Sequence, residues 1–144
     1  MKTVIAAFLF LLVSCNSLRG LKKQDFSYAG NKHLSLLVPK KFKKQEFFSD
    51  SAGNQAKIYT YSDGAVLYFA YGDSSKQYQY ISRSMNIPKQ HPGGGWMYKG
   101  QDSTQLFWRE VNLPGFKFGY WNVSSGREIK FDTAVNHPVW QKKR

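Results

Sequence analysis

The side chain in this sequence with the most distinctive chemistry is a thiol. Cys15 is the only cysteine among 144 residues, and it directly follows an apolar run and the small residue Ser14. Its thiolate is the nucleophile suited to thioether formation near neutral pH. Other reactive groups do not assemble into a motif. His33, His91 and His137 share no metal-ligand spacing, and there is no H-E-x-x-H. No serine occupies a G-x-S-x-G elbow. Asp102 and Glu110 fall on the two arms of an expected hairpin and could converge as glycosidase carboxylates do, but a β protein with nine acids offers many such pairs. The segment Pro92 to Trp96, PGGGW, lacks the G-x-x-x-x-G-K-[ST] pattern of a phosphate loop. It reads as a turn, and Trp96 beside it as a candidate rim of a ligand groove. The expectation is therefore no catalytic residue, no metal and no cofactor.

The positioning of Cys15 is what gives it meaning. Lys2 supplies a positive start, and Val4 to Val13 is unbroken apolar sequence. A core of roughly 7–15 apolar residues marks a secretory signal, and about 20 are needed to span a bilayer. The block Leu12-Val13-Ser14-Cys15 closely resembles the lipobox of bacterial lipoproteins. That resemblance implies cleavage before Cys15, a diacylglycerol thioether on its sulfur and an anchor that holds the chain to a membrane without crossing it. The division expected is residues 1–14 as signal peptide, 15–24 as lipidated tether and 25–144 as one β-rich globular domain. With its one cysteine lipidated, the remaining chain has no disulfide and no cysteine-based site. Asn16, not Asp, follows the cysteine. By analogy with lipoproteins of other double-membraned bacteria, this points to the outer membrane, with the inner membrane as the alternative. No acidic run follows Cys15 either, so the periplasmic face is expected.

Lys and Arg number 21 against 9 Asp and Glu, a formal net charge of +12, which loss of Lys2 with the leader lowers by one. Such a surface favours anionic partners. For an exported, lipidated chain these are anionic lipid or glycan; nucleic acid is not expected in that compartment, and no protein partner is legible. The lysines come in groups: Lys22-Lys23, then Lys40, Lys41, Lys43 and Lys44, then Lys142-Lys143 with Arg144. The second group is the candidate binding patch, together with Trp96. The plain reading of these lysines is a solvated edge, which lysine commonly protects.

The elements that must position these residues are mostly strands. His33 to Val38 is apolar up to Pro39, and Phe42 to Phe48 follows a Lys-rich turn. Lys57 to Tyr71, KIYTYSDGAVLYFAY, places Asp63-Gly64 between two β-branched and aromatic runs, a two-residue hairpin signal with Gly64 at positive φ. Residues 73–87 fit either period and lean towards extended structure. Trp96 to Gln101, Gln105 to Val111 and Phe116 to Val123 complete the strands. Ser125 and Glu128 stand at capping-box spacing before a helix of about three turns that stops short of Pro138. Strands followed by one helix predict an α+β domain, mainly antiparallel β-sheet with a short C-terminal helix packed on one face.

The run Tyr98-Lys99-Gly100, then Leu106 to Glu110, then Gly119-Tyr120 and the capped helix with Phe131-Asp132, is similar to small lipoproteins of the Bacteroidota that have no assigned function. That similarity implies location more than activity. It also implies candidate O-glycosylation at Asp-Ser/Thr triplets, with Ser51 and Ser103 in expected turns and Thr133 in the expected helix. Two functions are compatible with these residues. The better supported is a non-enzymatic binding or scaffolding module of the cell envelope; the alternative is a small hydrolase acting on envelope polymers.

Overall fold

The computed structural model describes residues 19–29, 32–72, 89–92, 94–136 and 138–142. The expectation for residues 73–87 lies outside the described residues, as do Cys15 and His137. The fold is α+β, with antiparallel sheets and one C-terminal helix. The strands are β1 (Leu21–Tyr28), β2 (Lys32–Pro39), β3 (Lys44–Ser49), β4 (Gln55–Thr60), β5 (Val66–Tyr71), β6 (Lys89–Gln90), β7 (Trp96–Gln101), β8 (Phe107–Leu113), β9 (Phe116–Val123) and β10 (Val139–Lys142). Helix α1 spans Glu128–Asn136.

Seven strands form one sheet in the order β3-β4-β5-β9-β8-β7-β6, and β1-β2-β10 form a second. Side chains alternate across each strand, so Tyr59, Leu67, Phe69, Val111, Phe118 and Tyr120 share one face of the large sheet. They are buried against Phe26, Leu34, Leu36 and Val38 of the small sheet and against Phe131, Ala134 and Val135 of α1. The aromatics meet edge to face, as in Tyr61–Phe131 at 5.1 Å and Tyr120–Phe131 at 5.5 Å. Such pairs add to the area each ring buries.

Four hairpin ends share one geometry. At Asp50–Asn54, Tyr61–Ala65, His91–Gly95 and Asp102–Leu106, the first residue accepts from the fourth amide and donates to the fifth carbonyl. The fourth residue has positive φ in each: Gly53, Gly64, Gly94 and Gln105. This is the three-residue loop with a bulge at a left-handed position. It corrects the two-residue loop expected at Asp63-Gly64 while keeping Gly64 at φ 84°.

Three further corrections concern the ends. Strand β1 starts at Leu21, inside the segment read as tether, because its backbone pairs with β2 from Leu21↔Pro39 onwards. The charged tail contains β10, which pairs with the other edge of β2. Helix α1 begins at Glu128, with the Arg127 carbonyl accepting from Phe131 N. The cap therefore lies two residues later than Ser125, and the helix is correspondingly shorter.

Candidate functional site

The turn joining β2 to β3 carries Lys40 and Lys41. The Lys40 amide donates to the Gly20 carbonyl at 2.7 Å, which ties this turn to the start of β1. Lys41 holds φ at 64°, a left-handed conformation uncommon for a side chain of this kind. Beside the turn, Tyr61 at the end of β4 is buried and donates its hydroxyl to the Pro39 carbonyl at 2.8 Å. Arg127, which caps α1, and Lys130 in its first turn lie three residues apart, which places them on one side. Together these groups enclose a cavity of about 430 Å³, with Gly20, Pro39 and Ser62 completing its wall.

Arg127 is the most constrained of the four cations. Its guanidinium carbon lies 4.7 Å from the Tyr61 ring centre and 5.0 Å from that of Phe131. Its Nη1 donates to Asp63 at the β4–β5 hairpin tip. Burial pushes the Asp63 carboxyl up, but the bonds from Arg127 and the Ala65 amide outweigh it and hold the group below its ordinary range. Burial holds the Tyr61 phenol well above its ordinary value, with the Arg127 charge pulling the other way. A Cβ on Gly20, whose φ is 88°, would stand 3.2 Å from Lys130 Nζ. Glycine there lets the ammonium lie against the backbone. Among the described residues, Lys40, Lys41 and Lys130 have no carboxylate within ion-pair distance.

The structure divides the expected patch. Lys40 and Lys41 line the cavity, while Lys44 pairs with Glu46 on exposed strand β3 at 2.8 Å. Lys43 is exposed just before β3, its amide donating to Thr60 O. Trp96 is half exposed but sits five strands away in the large sheet, about 24 Å at ordinary strand spacing. It is not part of this site. A Cβ on Gly95 would lie 2.1 Å from the Asn112 carbonyl, so glycine is needed where the chain enters β7 against neighbouring backbone. Sequence reading did not anticipate Arg127 and Lys130; their i, i+3 spacing was the available signal.

The other sites resolve plainly. Glu110 pairs with Tyr98, four residues before Asp102 on the same arm, so the two acids are about 13 Å apart along the ladder and do not converge. Asp102 instead accepts from Thr104 and Leu106 within its turn. Ser51 and Ser103 are exposed in turns. Thr133 is engaged, donating to Ile129 O within α1. His33 Nδ1 lies 3.0 Å from Ser27 Oγ across β1 and β2. Among the described residues no cluster of His, Cys, Asp and Glu could hold a metal ion.

A second group of charges lies within the large sheet, on the face away from the common core. Tyr68, Gly119 and Glu110 are cross-strand neighbours on β5, β9 and β8. Gly119 has no side chain, and a Cβ there would stand 2.5 Å from the Tyr68 hydroxyl. The phenol therefore passes over β9 and donates to Glu110 Oε2 at 3.1 Å, while Lys117 Nζ is 3.5 Å from Oε1. All three side chains are withdrawn from solvent. On the core face, Arg109 forms an ion pair with Asp132 at 3.1 Å, and its Nη1 donates to Asn136 Oδ1 at 3.0 Å.

No protein-family model, curated protein or solved structure matches the chain.

Proposed function

We propose that this chain is a lipid-anchored protein of the cell envelope, held at Cys15 on the periplasmic face of the outer membrane, and that it is a non-enzymatic module binding an anionic lipid or glycan. The observation that carries this reading is the cavity where Lys40, Lys41, Arg127 and Lys130 converge beside Gly20. Gly20 lies five positions after Cys15, at most about 18 Å of extended chain. A basic surface at that point would face anionic headgroups; Lys22 and Lys23 follow it on β1, both exposed and on opposite faces of the strand. Each lysine near such a surface contributes about 1 kcal/mol, within a Debye length. Among the described residues no helix is long and apolar enough to cross a membrane.

Two measurements test the two halves of this reading. Cys15→Ser should abolish detergent-phase partitioning; equal partitioning of variant and parent would remove the anchor. The full chain in neutral detergent should associate with micelles doped with anionic lipid, and less so as salt rises. Equal association with undoped micelles would remove the anionic partner.

A further inference from the structure

The cavity has more structure than a basic surface requires. Its cations come from separate elements: Lys40 and Lys41 from the β2–β3 turn, Arg127 and Lys130 from the start of α1. Two are held in unusual ways. Lys41 occupies a left-handed conformation, of the kind that clusters at ligand clamps. Arg127 is fixed between two rings and Asp63. Asp63 engages Nη1, and among the described residues Nε and Nη2 carry no hydrogen bond. A guanidinium fork fixed in this way suits the bidentate recognition of a phosphate or carboxylate. Three lysines around it supply charge from several directions, which fits the oxygens of a phosphate better than the planar pair of a carboxylate.

We infer that this cavity is a binding site for a phosphate ester on a small polar body, with Arg127 gripping the phosphate and Lys40, Lys41 and Lys130 surrounding it. At about 430 Å³ the space is at the lower end of the range for small-molecule sites, more than a bare phosphate fills. Ser62 offers a hydroxyl to the body of the ligand. The same chemistry belongs to a phospholipid headgroup and to a soluble glycerol or sugar phosphate. The inference rests on the proposed anionic partner and gives it a seat. Asp63 holds the fork in place through Nη1 and leaves Nε and Nη2 to the ligand, while its negative charge opposes the phosphate from outside the cavity wall.

The test uses the full chain in neutral detergent, with the Arg127 Nε–H signal followed by NMR. Glycerol 3-phosphate should shift that signal saturably. Lys130→Gln and Arg127→Gln should each weaken binding at least tenfold, and Asp63→Asn should tighten it several-fold. Lys32→Gln, on an exposed position of β2 outside the cavity, removes the same charge and should leave the affinity unchanged. Lys130 is exposed, so its variant keeps the test valid if Arg127→Gln fails to fold. A short-chain phosphatidylglycerol that displaces glycerol 3-phosphate would support the site with a headgroup as its ligand; binding of the soluble ester alone would support it with a free one. If neither ester moves the Arg127 signal while the chain still prefers anionic micelles, the cavity inference is overturned and the surface reading stands. If neither ester binds and the micelles are not distinguished, both fall.

Discussion

Two groups of charges in this molecule obey opposite rules. Within the large sheet, Glu110 is matched on one oxygen by Tyr68 and on the other by Lys117. At the β2–β3 turn, four cations line one cavity, and the acid beside it is occupied with Arg127. The difference follows from burial. A charge withdrawn from water costs several kcal/mol unless it is neutralised and hydrogen-bonded. Exposed lysines are kept apart by water and ions at small cost, so nothing in the fold obliges them to find partners or to converge. Matched buried charge is framework; the unmatched charge gathered around the cavity is what the proposed binding site rests on.

The comparison can be broken first on the buried side, with alkali. Burial holds the phenols of Tyr59, Tyr61, Tyr68 and Tyr120 above the ordinary value near 10. The unfolded chain then loses these protons first, so stability is complete below about pH 10 and is lost as pH climbs beyond it. Lys57 acts in the other direction, since burial lowers it and deprotonation relieves that cost; it is one group against four. Denaturant midpoints should fall steeply between pH 10 and 11 after little change from pH 8. A midpoint that stays level through pH 11 would mean that these phenols are not buried.

Next in size is Glu110→Ala. It strands Lys117 among buried neighbours, and removing one partner of a buried pair costs about 3–5 kcal/mol. Urea denaturation should show a loss in that range. Pairing it with Lys117→Met should recover much of the loss, because no uncompensated charge then remains. A single variant as stable as its parent would place the pair in water. Smaller again is Gly64→Val. Nothing lies within 4 Å of a Cβ at this position, so the cost comes from the backbone at positive φ, about 1 kcal/mol or more. An unchanged melting temperature would remove the bulged hairpin end.

The parts legible in the sequence were those specified locally. Asp63-Gly64 between aromatic runs marked a hairpin, and Ile129 to Val135 marked a helix. What escaped depended on partners distant in the chain. LKKQ at 21–24 reads as the end of a polar tether, and becomes the start of β1 because β2 lies beside it. Val139–Lys142 is too short to announce itself and takes its form from the other edge of β2. The site divides in the same way. Lys40 and Lys41 were visible as neighbours in a turn; Arg127 and Lys130 join them only because α1 starts beside that turn. Trp96 was marked as a groove rim by the glycine loop before it, and the strand order sets it apart from the lysines.

The smallest expected effect on stability carries the most weight. The variant combining Lys40→Gln, Lys41→Gln and Lys130→Gln removes three cations that have no acidic partner among the described residues. Its unfolding free energy should stay within about 0.5 kcal/mol of the parent, as for surface positions generally, and like-charge relief should make any change favourable. Its association with anionic micelles at low salt should meanwhile fall at least tenfold, leaving only the part held by Lys22, Lys23 and Arg127. An anionic preference as strong as the parent's, or a large loss of stability, would contradict the claim that these lysines are gathered for a ligand and not for the fold.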